Sequence, residues 1–481
     1  MTPVPADPPA AAPSASPPPG GAPAAPTEEL RRVIGVWDAA ALVVGLIIGS
    51  GIFRAPASVA RELPTAALML AAWVIGGLLS LAGGLAAAEL GVRYPRSGGQ
   101  YVFLREAFGP GVSFAFGWSN VVISRPSLLA GVALVFAGYF APLFGLPTSS
   151  HKVLAIAAVA LLTFVNCLGV KAGTRTQNLF TAAKVLGLAL LGVAALTSGR
   201  GSAAHFTAAA AAPLAHPLPV AMALGLITIL FTYDGWIDVT YAGGEVARPG
   251  YTFPRAILIG TLGCMALYLL ANAAYIYLLS PGDMPHAENI AALALERAFG
   301  PAGARTVSVL VMISTLGILN GSILTSTRVP YAMAKDGVMF PPLGRVHPRT
   351  HSPVNSLVAI GLFTCVCLLL VPGFDTLADL FVTTTWFFYA VCFIGLLILQ
   401  RRERRTGTPS GTGEGTYRMP FSPWPAVLFS AVTLFIVGIS VVQGAKQVLL
   451  AFAIIALGIP VYRIWQAVRA RGRARTGSST S

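Results

Sequence analysis

Twelve times along the chain, apolar residues run for about the 20 positions a helix needs to cross the hydrocarbon of a bilayer. The runs predict helices over residues 37–60, 65–92, 111–142, 153–170, 176–198, 219–243, 254–280, 303–333, 354–371, 376–399, 423–442 and 445–467. Between the seventh and eighth, "HAENIAALALERAFGP" is too short and too polar to cross and reads as an amphipathic helix on the outer surface. Residues 1–35 predict a disordered Pro/Ala-rich tail with no apolar stretch of a secretory signal, and residues 468–481 a basic tail.

Two runs interrupt themselves. The first, "LVVGLIIGSGIFRAP", carries three glycines and then an arginine and a proline before a spanning length is complete. The sixth breaks at "FTYDGWID", residues 231–238, around Gly235. An unpaired backbone amide in lipid costs several kcal/mol, so a broken helix is tolerated only where it lines a cavity. The interrupted runs open two blocks of five, residues 36–200 and 219–400. Five is odd, so the second block starts from the opposite face, which is the arithmetic of an inverted repeat. The two remaining runs, within 423–467, predict peripheral helices. The fold class is therefore an all-α integral membrane protein of twelve helices, with the first and sixth discontinuous. A plainer reading of Gly45-x-x-x-Gly49 is a close-packing helix contact; a second cluster at the corresponding place in the other block favours a site.

Freed amides of Gly49, Ser50 and Gly51 favour an anion, as helix N-termini do, and Ile48 and Ile52 beside them are expected in the same substrate-binding set. Freed carbonyls near Phe231, Thr232 and Asp234, around Gly235 and Ile237, favour a cation. One carboxylate pocket beside one ammonium pocket describes an α-amino acid zwitterion. Thr232 and Ile237 suggest a modest cavity of mixed polarity, suited to small or medium neutral amino acids.

Composition and charge sharpen this picture. Hydrophobic residues make up 55% of the 481 and charged residues only 10%, against about 25% in soluble domains. The net charge of +14 comes mostly from Arg and Lys between alternate runs and in the C-terminal tail. By the positive-inside rule this puts both termini in the cytoplasm, and no nucleic-acid partner is needed. Arg outnumbers Lys and Ala and Gly abound, which points to a GC-rich bacterial genome and an inner-membrane location. The five cysteines all fall in apolar segments, with no disulfide framework or zinc spacing. No cofactor is implied.

The ordered set "GLIIGSGIF", "AAAELGVRYPRSGGQYVFLREAFG", "SRPS", "VNCLGVKAGTRTQNLFTAAK", "FTYDGWIDVTYAGGEVARPGYTFPRAI", "LNGSILTSTRVPYAMAKDG" and "SPVNS" resembles the L-type amino acid transporters of the amino acid–polyamine–organocation superfamily. The resemblance runs from about residue 36 to 465. It implies a sodium-independent amino acid permease or exchanger in which "GSGIF" takes the substrate carboxylate. The break in the sixth span takes the amine, and Phe231 closes over the substrate from outside. Members that pair with a heavy-chain glycoprotein use a cysteine between spans three and four. Here "APLFGLPTSSHK" has none, so no disulfide-linked heavy chain is expected. Several members have Asn just after the span-six "GW", where this chain has Ile237.

Individual residues divide between functional and ordinary roles. Lys184 lies inside the fifth run, where a lysine costs about 2.5–3.5 kcal/mol and usually faces a bundle interior; the alternative is snorkelling to the interface. In sodium-coupled relatives a cation bridges spans one, five and eight. The resemblance puts Lys184 there, with carbonyls near Gly45 and the hydroxyl of Ser322 as partners, linking occupancy to the inner gate. Asp234 reads as an amine or cationic side-chain ligand, as a proton carrier, or as a cap for exposed amides. Asp238, one turn on, is a further titratable candidate. Phe231 is a gate or core, and Glu245 pairs in an inner gate or is solvated. Arg125 and Arg54 read as helix-end or structural charges rather than substrate ligands, and Glu89 with Arg93 as a helix-surface pair.

Other function classes fit less well. The six histidines sit in loops or near span ends, and no H-E-x-x-H, P-loop or Ser-His pairing occurs on apolar segments, which argues against an enzyme. A proton-coupled amino acid or polyamine symporter, or a sensor that binds without transporting, remains open.

Overall fold

Every regular element among the described residues is a helix. That is the expected outcome for a chain whose backbone must satisfy its own N–H and C=O groups in lipid. The computed structural model describes residues 30, 32–209, 213–280, 282–287, 289–408, 410–413, 417–442 and 446–477. Of the tail expected over residues 1–35, residues 1–29 and 31 lie outside that set, as do the last four residues of the chain.

Helices α1 (Val36–Ile47) and α2 (Ala55–Glu62) share the first apolar run, separated by a 3₁₀ turn, Gly51–Phe53. Next come α3 (Ala66–Arg93) and the short α4 (Gln100–Phe108). α5 (Pro110–Ser119) and α6 (Arg125–Leu143) form one continuous helix that widens through a π-turn, Asn120–Ser124. The widening falls just before Pro126, whose ring supplies no N–H to the ladder. α7 (His151–Cys167) and α8 (Val170–Thr197) complete the first block, and α9 (Leu218–Thr232) opens the second. The second half continues with α10 (Pro249–Leu278), α11 (Ile290–Phe299), α12 (Pro301–Ser326), α13 (Arg328–Lys335) and α14 (Val354–Leu370). It ends with α15 (Gly373–Thr406), α16 (Trp424–Val442) and α17 (Lys446–Gly477).

Eight helical segments among the described residues are long and apolar enough to cross a membrane, and four shorter apolar helices accompany them. α1 and α9, the interrupted ones, are among the four. At 12 and 15 residues they extend about 18 and 22 Å, short of the roughly 30 Å of hydrocarbon. The sixth run, expected over 219–243, does not resume as an α-helix: two 3₁₀ turns, Asp238–Tyr241 and Gly243–Glu245, follow the break.

α1 sits at the centre, packed on α10, α8 and α12. α8 shows how lipid inverts the usual amphipathic logic. Gln177, Thr181 and Lys184 are buried inward while Leu179, Leu186 and Leu190 are exposed, because lipid solvates leucine and not an ammonium. α11 is amphipathic as expected, burying Ile290, Ala291, Ala294, Leu295 and Ala298 against the protein. Glu89 and Arg93 are not a surface pair. Both are buried, with Arg93 Nη2 2.6 Å from Glu89 Oε1 and a second ion pair from Arg93 to Glu403. The end of α15 and the segment after it fold over the end of α3. Gln400 Nε2 and the Met419 N–H each donate to Glu89 at 2.9 Å. All five cysteines are free.

Candidate functional site

The first break opens where Ile48 leaves the helix for an extended conformation, φ −72° and ψ 100°. Ser50 turns back to a helical geometry, and α2 restarts after Arg54 with Pro56 in its first turn, where a missing N–H costs nothing. The N–H groups of Ser50 and Gly51 find no acceptor among the described residues. The second break opens after Thr232 and turns on Gly235, whose φ of +123° disfavours any side chain. A Cβ at Gly235 would stand 2.8 Å from the carbonyl carbon of Leu46, and one at Gly51 would stand 2.8 Å from Cγ2 of Thr232. Each break thus presses on the other through a missing side chain.

A cavity lies between them. Gly49, Ser50 and Gly51 line it from the first break, and Phe231, Thr232, Asp234 and Gly235 from the second, with Leu46 and Ile47 beside them. α6 supplies Arg125 and Ser127, α12 supplies Ile318 and Ser322, and α15 supplies Phe374 and Phe381. Three sequence-predicted ligands are elsewhere. Ile48, Ile52 and Ile237 are fully buried in packing and do not line the cavity. At a break, side-chain direction is set by local φ and ψ, which helical periodicity does not supply. The carbonyls expected to be free near Phe231 and Thr232 are also engaged: Phe231 O accepts from the Asp234 N–H at 3.3 Å, and Thr232 O from a tyrosine hydroxyl.

The charges of the site come mainly from groups 100 or more positions apart in sequence. Arg125 and Asp238 both line the cavity and form a buried two-pronged pair, Nη1 to Oδ2 at 2.6 Å and Nη2 to Oδ1 at 2.5 Å. Tyr241 holds the same guanidinium, its hydroxyl accepting from Nη2 at 3.2 Å and donating to Gln100 Oε1 at 2.6 Å. Sequence reasoning gave Arg125 a structural role but left out its partner and its place in the cavity wall. The available signal was that an arginine inside an apolar run requires an anion at the same depth. Asp234 has a milder partner, the Tyr389 hydroxyl, which donates to Oδ1 at 2.7 Å. Arg54 is exposed.

Lys184 is fully buried, and its ammonium donates to the carbonyls of Gly45 at 2.8 Å, Ile48 at 2.8 Å and Ser314 at 3.1 Å. It does not snorkel. Its span-eight partner is Ser314 rather than the expected Ser322, two helical turns away. The Ser314 hydroxyl donates to the same Ile48 carbonyl at 2.9 Å. Gly45 also packs against Gln177 and Thr181 of α8, so the close-packing role holds beside the carbonyl one. Glu245 is buried and paired, its Oε1 2.7 Å from Arg328 Nε and its Oε2 3.0 Å from Nη2. The Glu245 carbonyl accepts from Val33 and Ile34, and Ile34 bridges to Val246. The segment before α1, the end of the second break and the start of α13 are thereby joined.

The arrangement offers backbone donors on one wall, a carboxylate on the other, and a buried cation bracing the first break. Sequence comparison agrees with that chemistry. The family described as "Amino acid permease" matches residues 34–460. The serine/threonine exchanger SteT of Bacillus subtilis is 32% identical over 440 residues, covering 90% of this chain and 96% of that protein. The b(0,+)-type amino acid transporter 1 of Oryctolagus cuniculus is 32% identical over 80% of this chain and 79% of its own. The human large neutral amino acids transporter small subunit 2 is 32% identical over 78% and 71%. The chain therefore belongs to the amino acid permease family, as an L-type-like member of the amino acid–polyamine–organocation superfamily and a multi-pass membrane transporter rather than an enzyme.

Proposed function

We propose that the chain is a sodium-independent transporter or exchanger of small or medium neutral L-amino acids that works by alternating access about the cavity between the two breaks. The observation that carries this reading is that the two breaks give one cavity opposite polarity. Ser50 and Gly51, whose amides are unpaired among the described residues, and Asp234 line the same cavity. A substrate carboxylate would dock on the amides, where the restarting helix adds positive potential. Its ammonium would sit at the Asp234 side, with Phe231 closing above. Serine and threonine are the first substrates to try, since the relative SteT is a serine/threonine exchanger.

Lys184 supports sodium independence, because its ammonium already occupies the carbonyl cluster a bound cation would need. The Glu245–Arg328 pair serves as the closed inner gate. In this reading the eight long and four short apolar segments make twelve spans, arranged as a five-plus-five inverted repeat with two peripheral helices. Both termini are cytoplasmic, the membrane is a bacterial inner membrane, and no heavy chain is disulfide-linked.

A second reading is favoured by one observation: Asp234 meets a hydroxyl and not a basic group. It would then accept a proton or a cationic side chain during transport. Proteoliposomes preloaded with unlabelled L-serine separate these. Exchange predicts uptake of labelled L-serine without sodium and without a pH gradient. Uptake that requires an inward proton gradient selects the second reading. Saturable serine binding with no accumulation under either condition overturns transport and selects a sensor.

A further inference from the structure

Among the described residues, three charged side chains line the cavity: Arg125, Asp234 and Asp238. Two of them cancel. Arg125 opens α6, Asp238 opens the 3₁₀ turn after the second break, and each is only 2% exposed. Their bond has two prongs, so each carboxylate oxygen of Asp238 takes one N–H of the guanidinium. Further contacts fix the fork in place. The Tyr241 hydroxyl accepts from Nη2, and the ring centroids of Tyr241 and Phe381 lie 5.0 and 5.9 Å from the guanidinium carbon. An arginine fork held in this way loses little freedom for each hydrogen bond it forms.

The charges therefore balance before any substrate side chain is counted. In the amino acid reading given above, on which this inference rests, the substrate ammonium meets Asp234 and its carboxylate meets the amides of Ser50 and Gly51. A third charge, on the substrate side chain, finds only a pair already closed on itself. To enter, it must shed water without gaining a counter-ion, or break the buried pair and strand its other member; both are strongly unfavourable. A hydroxyl, amide or alkyl side chain meets no such penalty. We propose that the Arg125–Asp238 pair is a charge filter that restricts the transporter to amino acids with uncharged side chains. Its two members act in opposite senses: Asp238 alone would admit cationic side chains, and Arg125 alone anionic ones.

The test is competition against labelled L-serine uptake in proteoliposomes. Three probes of similar size are used: L-asparagine, L-aspartate and L-2,4-diaminobutyrate, with neutral, anionic and cationic side chains. In the unaltered protein, asparagine should inhibit at least about tenfold more strongly than either charged probe. Arg125→Gln leaves the Asp238 carboxylate alone, so inhibition by diaminobutyrate should strengthen about tenfold while aspartate gains nothing. Asp238→Asn leaves the guanidinium alone, so aspartate should gain about tenfold and diaminobutyrate nothing. The double variant should gain neither. Single variants that gain both charged probes alike, or neither, overturn the filter. So does an unaltered protein inhibited as strongly by aspartate or diaminobutyrate as by asparagine. Where thermal unfolding shows that a neutral variant does not fold, Arg125→Lys decides. It keeps the charge, but an ammonium does not reproduce the two-pronged fork, so diaminobutyrate should gain about threefold or more; no gain overturns the proposal. Failure of the unaltered protein to take up any neutral amino acid is a different result, and it overturns the amino acid reading itself.

Discussion

The two breaks interrupt their helices in different currencies. The first is a backbone device: an extended Ile48, a helical Ser50, and a helix that restarts within a few residues. Its carbonyls are taken by Lys184, Ser314 and Tyr268, so the amides are left to act. The second is a side-chain device. It turns on one left-handed glycine, never resumes as an α-helix, and carries Asp234 and Asp238, each with its own partner. The difference teaches where substitutions should matter. In the function proposed above, the first break would bind through its polypeptide, with side chains incidental. At the second, removing one charged atom strands another.

The comparison breaks hardest at its shared contact. Gly235→Ala puts a side chain at φ +123° and 2.8 Å from the Leu46 carbonyl carbon; serine uptake should fall to background, and normal uptake would mean the breaks do not press together. Next in size is Arg125→Ala, which leaves Asp238 buried without its partner at a cost of about 3–5 kcal/mol. Thermal unfolding in detergent should show a large loss that Arg125→Ala with Asp238→Ala partly restores; no restoration would deny the pair its coupling. Lys184→Ala removes the cation bracing the first break and should cut uptake about tenfold or more while altering its pH dependence. Uptake at normal rate with an unchanged pH profile would sink that role. Asp234→Asn keeps the Tyr389 contact geometry but not the charge. If Asp234 reads cationic side chains, arginine should lose its ability to compete while serine uptake stays within about threefold; equal losses would mark Asp234 as a ligand of the common ammonium. The smallest effect is expected for Ser50→Ala, within about twofold of normal uptake because the donor there is the amide. A large loss would move the first break into the side-chain class.

Much of this architecture was legible from residue order. Apolar runs marked the helices, because lipid permits few alternatives, and glycine clusters in two of them marked the breaks. Both clusters do line one cavity. The finer assignments failed where direction mattered. Ile48, Ile52 and Ile237 are adjacent to cavity residues in sequence yet point into packing. Ser322 was a reasonable partner for Lys184 by depth, but α12 presents Ser314 to it. Glu89 and Arg93, one turn apart, looked like a surface pair because nothing local reveals that Glu403 and Gln400 arrive from over 300 residues away.

The order of residues by itself determined that this chain lives in a membrane, that two of its helices cannot be continuous, and that an arginine and a lysine are held at depth. Those follow from solvation costs, which each segment meets alone. Which anion answers Arg125 and which carbonyls receive Lys184 were decided only when distant helices packed. Buried polar groups take whatever partner the packing brings within about 3 Å, and that distance is a property of the assembled bundle and not of any stretch of chain.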